Sequence, residues 1–120
     1  MPPMASILLI EDDADLRNDL RDGLAAAGHS VVTAADGIAG LARFAERRPD
    51  VVITDIFMRD KEGIEVLLTI RKHVTPVPVI VISGHAGYLA MSRKLGAAQS
   101  LVKPFRLPEL LACVRSALAG

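Results

Sequence analysis

Short apolar runs alternate along this chain with stretches in which apolar residues recur at helical spacing. A short continuous apolar run is typical of a strand that is buried on both faces of a sheet. Because strands that alternate with helices form a parallel sheet covered on both sides, the sequence predicts an α/β fold with a doubly wound, five-stranded parallel sheet. The predicted strands cover residues 7–10, 31–33, 51–54, 79–82 and 100–102.

The predicted helices follow from apolar residues that lie three or four positions apart. Gly28 is expected just beyond the end of the first helix, and Asp36 is expected to cap the second. Five strand–helix units take up the 120 residues, so we expect a single domain over residues 1–120, with no output domain, linker or repeat. The apolar stripes are Leu16, Leu20 and Leu24; Ile38, Leu41, Ala42 and Ala45; Ile64, Leu67 and Leu68; and Leu107, Leu111, Val114 and Leu118, with a weaker helix over 87–94.

Charge balance and cysteine content narrow the classes of function. Fourteen basic residues offset fourteen acidic ones, and a chain without a broad cationic field is not expected to bind nucleic acid directly. Cys113 has no partner for an internal disulfide, which fits a reducing cytoplasm, and its apolar helical setting favours a buried small side chain over a nucleophile. No apolar run reaches the ~20 residues of a membrane span, so we expect a cytoplasmic protein without membrane contact.

Charged or hydroxyl side chains stand at the ends of four predicted strands. Glu11 and Asp12 follow the first strand, Asp55 and Ser83 end the third and fourth, and Lys103 follows the fifth. Ligands bind outside the carboxyl ends of strands in open α/β sheets, so these side chains are expected to meet at one edge. Two carboxylates about 4 Å apart repel by ~4 kcal/mol at an effective dielectric constant of about 20, so the cluster needs cations. Lys103 supplies one charge, and oxygen ligands without His or Cys favour Mg²⁺ or a similar hard ion.

Four short motifs lie at these strand ends: Glu11-Asp12, Asp55-Ile56-Phe57-Met58 with Gly63, Ser83-Gly84, and Lys103-Pro104-Phe105. Each motif alone is common, but together they occur in order across essentially the whole chain. In this order they resemble the bacterial response-regulator receiver family of two-component signalling. The resemblance implies a flavodoxin-like (βα)5 fold with strand order 2-1-3-4-5, similar to that of chemotaxis regulators.

The acidic residues take specific roles from this resemblance. Asp55 is expected to be the phosphoacceptor. Asp12, Asp55 and the backbone carbonyl of Phe57 are expected to bind Mg²⁺, and Glu11 is expected to help directly or through a water molecule. These roles agree with general chemistry, since a carboxylate can serve as a covalent acceptor and Mg²⁺ commonly joins a few carboxylates to a phosphate.

The hydroxyl and the ammonium group are expected to face the phosphoryl oxygens. By the same resemblance, Ser83 donates a hydrogen bond to one phosphoryl oxygen and Lys103 pairs with another. Lysine is a compact point charge that suits a phosphate oxygen. The family pattern also implies a cis Lys103–Pro104 peptide bond.

Two positions depart from the family pattern. Arg59 stands where the family usually has proline, which leaves the loop after Asp55 with a free N–H and a less restricted backbone. Ser100 stands where receivers usually carry the tyrosine or phenylalanine that changes position on activation. We expect phosphorylation to be retained and the conformational output to be altered, either with Tyr88 as a substitute ring or through loop and helix shifts alone.

The sequence therefore indicates a signalling module that is phosphorylated by a sensor histidine kinase or a histidine phosphotransfer protein. It is expected to catalyse only its own phosphorylation and dephosphorylation, and to meet an unknown downstream protein, or a second copy, through the face of the fourth helix, fifth strand and fifth helix. The alternative is a receiver-like interaction module that uses no phosphate. A phosphohydrolase is disfavoured because Ile56 and Phe57 follow Asp55 where a second acid is needed, and a DNA-binding regulator is disfavoured by the neutral charge.

Overall fold

Within residues 5–56, 62–73 and 76–120, which the computed structural model describes, five parallel strands form one sheet and a helix follows each strand. The strands are β1 (Ser6–Ile10), β2 (Ser30–Ala34), β3 (Val51–Asp55), β4 (Val79–Ser83) and β5 (Gln99–Val102). The helices are α1 (Ala14–Ala26), α2 (Gly37–Glu46), α3 (Glu62–Arg71), α4 (Ala86–Lys94) and α5 (Leu107–Ala119). The strand order β2-β1-β3-β4-β5 confirms the predicted doubly wound arrangement.

The central strands explain the continuous apolar runs in the sequence. Every residue of β3 and β4 is buried, whereas the edge strands β2 and β5 are partly exposed. A strand that is covered by helices on both faces has no polar side, so alternation of polar and apolar residues disappears. None of the helices in the described ranges has both the length and the apolar character needed to cross a membrane.

Two apolar cores lie on opposite faces of the sheet. Successive side chains of a strand point to opposite faces, so each strand contributes to both cores. Leu8 and Ile10 of β1 belong to the core that contains Phe44 of α2 and also includes α3. Ile7 and Leu9 belong to the core that contains Leu24 of α1 and also includes α5. The helices therefore pack against both faces of the sheet and do not cover the edge at which the carboxyl ends of the strands lie.

The buried face of α2 differs from the predicted apolar stripe. Gly40 and Phe44 are buried, whereas Ile38 is 77% exposed and only Leu41 of the predicted stripe packs against the core. A Cβ atom added to Gly40 would overlap the side chain of Ile10, so the helix lies unusually close to β1 at this point. The contact between α2 and β1 is therefore made by Gly40, and Ile38 of the same helix faces solvent.

The buried face of α5 is also rotated from the predicted one. Leu110 and Val114 are fully buried, whereas Leu118 is 40% exposed. Leu107 is the first residue of α5, and its side chain lies against Gly23 of α1. Of the predicted stripe, Val114 is confirmed as a core residue and Leu111 packs against the same core while partly exposed.

Gly28 lies just beyond the end of α1 and Asp36 caps the start of α2, as the sequence predicts. Gly28 follows the last turn of α1 with φ of 101°, and Gly96 follows α4 with φ of 104°. This left-handed conformation is favourable for glycine because it has no Cβ. The Asp36 carboxylate accepts a hydrogen bond from the Ala39 N–H at 2.7 Å and so caps α2.

The first turn of α3 lies against the end of β3. Gly63 is buried, and a Cβ atom added to it would overlap the backbone of Asp55 and Ile56. Backbone atoms cannot rotate away as the tip of a side chain can, so hydrogen is the side chain that fits here. The glycine thus lets α3 sit directly beside the strand that ends in Asp55.

Replacing Gly63 by alanine is therefore expected to lower the free energy of unfolding by about 1–3 kcal/mol through overpacking. Urea unfolding followed by circular dichroism measures the change. Gly87→Ala is the matched control, because a Cβ at Gly87 meets nothing within 4 Å and alanine favours helix more than glycine does. The control is expected to match or exceed wild-type stability. A Gly63→Ala protein as stable as wild type would contradict the close contact.

Candidate functional site

The carboxyl edge of the sheet brings together the side chains that follow four strands. Glu11 follows β1, Asp55 ends β3, Ser83 ends β4 and Lys103 follows β5. Parallel strands end on the same side, so the sheet places these side chains next to one another. The Nζ atom of Lys103 lies 2.7 Å from Oε1 of Glu11 and 2.5 Å from Oδ2 of Asp55. The predicted convergence of the acids and the lysine is confirmed.

Burial divides this cluster into a floor and a mouth. Glu11 is fully buried and Asp55 is 4% exposed, whereas Asp12 is exposed and Lys103 is partly exposed. Each of the three acids offers a carboxylate oxygen, and these oxygens lie within 4.8 Å of one another. The site is therefore an acidic cluster whose inner carboxylates are buried and whose Asp12 carboxylate is open to solvent.

Hydrogen bonds fix the turn between β1 and α1. The Glu11 N–H donates to the carbonyl oxygen of Ala34 at 3.0 Å, and the Asp13 N–H donates to Oε2 of Glu11 at 3.2 Å. Oδ1 of Asp13 accepts hydrogen bonds from the Asp15 and Leu16 N–H groups, so Asp13 is the N-cap of α1.

Arg17 makes a contact with this turn that was not predicted from the charged and hydroxyl residues at the strand ends, here called the strand-end pattern. Its Nη1 atom donates to the backbone carbonyl oxygen of Glu11 at 2.9 Å. The strand-end pattern considers only residues at the ends of strands, whereas Arg17 lies one turn into α1. Its spacing from the acidic pair, which brings the side chain back over the turn, is the signal that would have identified it.

Ser83 is fully buried at the end of β4 and bonded to the loop that follows. Its Oγ atom accepts a hydrogen bond from the His85 N–H at 3.1 Å and donates over a longer 3.4 Å to the His85 carbonyl oxygen. The carbonyl oxygen of Ser83 accepts from the Lys103 N–H at 2.8 Å. This backbone bond joins the hydroxyl and ammonium residues directly. The Lys103–Pro104 peptide bond is cis, as the family resemblance implies.

Burial has opposite effects on the pKa values of Glu11 and Lys103, which are paired with each other. Burial raises the pKa of Glu11 to about 7, above its usual 4.5, even though the hydrogen bond from Lys103 acts to lower it. A hydrogen bond with Asp12 and the negative charge of Asp55 raise the Glu11 pKa further. Burial acts to lower the pKa of Lys103, but its hydrogen bonds with Asp55 and Glu11 outweigh that effect and the pKa is raised.

The donor atoms of the pocket fit a hard divalent cation. Glu11, Asp12 and Asp55 offer carboxylate oxygens, which Mg²⁺ prefers to nitrogen or sulfur ligands. Lys103 offsets part of their negative charge. The raised pKa of Glu11 indicates that a negative charge on this buried carboxyl group is still unfavourable. The expected fourth ligand, the backbone carbonyl of Phe57, lies outside the described residues, as does Arg59.

Ser100 of β5 is joined to α4 by a polar contact. Its Oγ atom lies 3.0 Å from Nε of Arg93, which donates to it. Tyr88 lies in the first turn of α4, and its ring meets that of His85 edge on, with 5.8 Å between centroids. The position that carries an aromatic ring in the resembled family is thus occupied by a small hydroxyl group. The tyrosine lies near the loop that Ser83 holds.

Cys113 does not belong to this site. It is partly buried against the core that includes α1 and α5, and burial raises the pKa of its thiol. A thiol with a raised pKa is mostly protonated near neutral pH and is a poor nucleophile. This agrees with the predicted packing role.

Sequence comparison identifies one family over most of the chain. The family model of the response regulator receiver domain matches residues 7–115. The transcriptional regulatory protein PrrA of Mycobacterium tuberculosis is 37% identical over 114 residues, which cover 93% of this chain and 49% of that protein. The transcriptional regulatory protein KdpE of the same species is 38% identical over 117 residues, which cover 96% and 51%. The chain spans about half the length of the curated relatives it matches.

Solved structures with the same architecture extend over nearly the whole chain. A response regulator receiver domain protein from Clostridium thermocellum has a TM-score of 0.90 and 31% identity, covering 97% of this chain and 95% of that one. The chemotaxis response regulator CheY4 of Vibrio cholerae has a TM-score of 0.88 and 30% identity, covering 97% and 100%. The fold is thus shared with solved chains that this chain covers almost completely.

The raised pKa of Glu11 predicts how stability depends on pH without metal. Between pH 4.5 and about 7 the folded protein retains a proton that the unfolded chain has lost, so stability falls as pH rises through this range and levels off above it. The test is the difference in free energy of unfolding between wild type and Glu11→Gln, measured by urea unfolding from pH 4 to 8. The wild type is expected to lose stability relative to the variant as pH rises. A flat or rising difference would show that the carboxyl titrates normally.

Proposed function

Because this chain belongs to the response regulator receiver domain family, we propose that it accepts a phosphoryl group on Asp55 from the phosphohistidine of a partner. The partner is a sensor histidine kinase or a histidine phosphotransfer protein, and Mg²⁺ is the required metal. The observation that carries the proposal is the position of Lys103, whose ammonium group contacts both the buried Glu11 and Asp55 at the mouth of the pocket. An ammonium group held there is ready to meet a phosphoryl oxygen.

Asp55 supplies the nucleophile in this proposal. One carboxylate oxygen attacks the phosphorus atom as the P–N bond to the histidine breaks, and the imidazole leaves with the electron pair and takes up a proton. Lys103 then turns its ammonium group from Oδ2 of Asp55 to an equatorial phosphoryl oxygen. The transfer depends on positioning and on neutralising charge, which agrees with a site built from fixed strand ends.

The metal is assigned to the acidic side of the pocket. Glu11, Asp12 and Asp55 would hold Mg²⁺, together with the backbone carbonyl of Phe57 that the family pattern implies. When bound, Mg²⁺ supplies positive charge that offsets the carboxylates and the incoming phosphoryl group. The exposure of Asp12 supports this assignment, because its carboxylate is open to solvent.

Ser83 is assigned the second contact with the phosphoryl group. A hydroxyl group has one proton to donate, and that proton now points to the His85 carbonyl oxygen over a long 3.4 Å. Redirecting it to a phosphoryl oxygen breaks only this weak bond, while Oγ continues to accept from the His85 N–H. Phosphorylation would thereby act on the loop that leads into α4.

We assign the output of the domain to α4 and β5. The bond between Arg93 and Ser100 joins these elements where other receivers use an aromatic ring, so the output differs in form from the usual one. The downstream protein, or a second copy, is proposed to bind the face formed by α4, β5 and α5. Residues 1–120 are proposed to form one cytoplasmic receiver domain that itself contacts neither nucleic acid nor membrane and catalyses only its own phosphorylation and dephosphorylation.

Incubation with Mg²⁺ and acetyl phosphate is expected to add one phosphoryl group to wild type and none to Asp55→Asn, as measured by intact mass. Asp22→Asn is the matched control, because Asp22 is exposed on α1 and pairs with Arg21 away from the site. It is expected to be labelled like wild type. Labelling of Asp55→Asn would contradict the assignment of the acceptor. If wild type takes phosphate neither from acetyl phosphate nor from a histidine kinase or phosphotransfer protein, the phosphate-independent interaction module becomes the better account.

Amide hydrogen exchange tests the output assignment. Addition of Mg²⁺ and a beryllofluoride phosphoryl mimic is expected to change protection between Gly84 and Ser100, because Ser83 must release the His85 carbonyl oxygen. Asp55→Asn treated in the same way should show no change. Identical exchange of wild type with and without the mimic would rule out an output through α4.

A further inference from the structure

The side chain of Arg17 spans from α1 back to the turn that carries the acidic pair. Its own N–H donates to the Asp13 carbonyl oxygen at 2.9 Å, so its backbone is fixed in the first turn of the helix. Its guanidinium group is partly buried and donates from Nη1 to the carbonyl oxygen of Glu11 at 2.9 Å. A charged donor on a carbonyl oxygen makes a stronger hydrogen bond than a neutral one.

The bonded carbonyl belongs to the peptide unit that leads into Asp12. A peptide unit is planar, so holding the Glu11 oxygen fixes the plane that enters Asp12. The preceding and following residues are held as well, by the Glu11 N–H bond to Ala34 and the Asp13 N–H bond to the Glu11 side chain. Asp12 thus lies between anchored neighbours, although its own side chain is exposed.

We propose that Arg17 is a positioning residue for the metal site. By fixing the Glu11–Asp12 peptide, it keeps the Asp12 carboxylate within 4.8 Å of the carboxylates of Glu11 and Asp55 before the metal arrives. The inference rests on the proposed function in one respect, which is that the pocket takes Mg²⁺.

The expected size of the effect follows from outer contacts of metal sites in general. Loss of a group that orients a ligand commonly costs about 10–100-fold in metal affinity. Because Asp12 is one of three acidic ligands, we expect Arg17→Ala to weaken Mg²⁺ binding by about tenfold. Arg17→Lys retains the charge but not the planar guanidinium group, so its Mg²⁺ affinity should lie between those of Arg17→Ala and wild type.

Mg²⁺ titration of the full chain, followed by ¹H–¹⁵N NMR, tests this directly. The matched control is Arg21→Ala, which removes the same charge one turn further along α1, where Arg21 is exposed and pairs with Asp22. We expect weaker binding for Arg17→Ala and unchanged binding for Arg21→Ala. Equal affinities of folded Arg17→Ala and wild type would overturn the proposal. If Arg17→Ala does not fold, Arg17→Lys decides the question, and wild-type Mg²⁺ affinity in that variant would overturn the proposal.

A second measurement separates this inference from the proposed function. In metal-free protein, Arg17→Ala should speed amide exchange at Asp12 and Asp13 relative to Arg21→Ala, and unchanged exchange there would overturn the positioning role. Phosphorylation by acetyl phosphate gives a further test. Arg17→Ala should need more Mg²⁺ than wild type for half-maximal phosphorylation but should reach the wild-type rate at saturating Mg²⁺. A rate of Arg17→Ala that stays low at saturating Mg²⁺ would also overturn the positioning role. If wild type binds no Mg²⁺, the metal assignment fails, and exchange alone decides whether Arg17 orders the turn.

Discussion

The ammonium group of Lys103 contacts two carboxylates at the carboxyl edge of the sheet, and the arrangement of the site depends on this contact. Glu11 is fully buried and Asp55 nearly so, and unpaired charges at such depth would be strongly unfavourable. Parallel strands nevertheless force these acids together, because their ends meet on one side. Lys103, which follows β5, stabilises the two buried carboxylates through these ion pairs. A bound metal ion would neutralise the remaining negative charge.

The sheet could be predicted from sequence because the central strands are buried on both faces and leave uninterrupted apolar runs. The helix faces were predicted less well. In α2 the contact with β1 is made by Gly40, which carries no apolar side chain, so Ile38 was wrongly assigned to the core although it is exposed. In α5 the buried face is formed by Leu110, Val114 and Ala117, of which only Val114 was in the predicted stripe. Close approach through small residues leaves no signal in hydrophobic periodicity.

Most of the candidate site could be predicted for a related reason, since the topology alone brings Glu11, Asp55, Ser83 and Lys103 to one edge. Contacts that depend on the reach of side chains do not follow from the order of the strands. The bond from Arg17 to a backbone carbonyl and the bond from Arg93 to Ser100 each link residues that the strand-end pattern does not associate. The role of the Phe57 carbonyl stays a prediction, because that residue lies outside the described ranges.

The hydrogen bond between the Ser83 carbonyl oxygen and the Lys103 N–H has a consequence for how such a domain can diversify. It fixes the spacing of the hydroxyl and ammonium residues through the main chain, so substitutions on the outer surfaces of α4 and α5 leave that spacing intact. The outer surfaces of α4 and α5 can therefore diverge over generations while the geometry of the carboxyl edge is inherited unchanged.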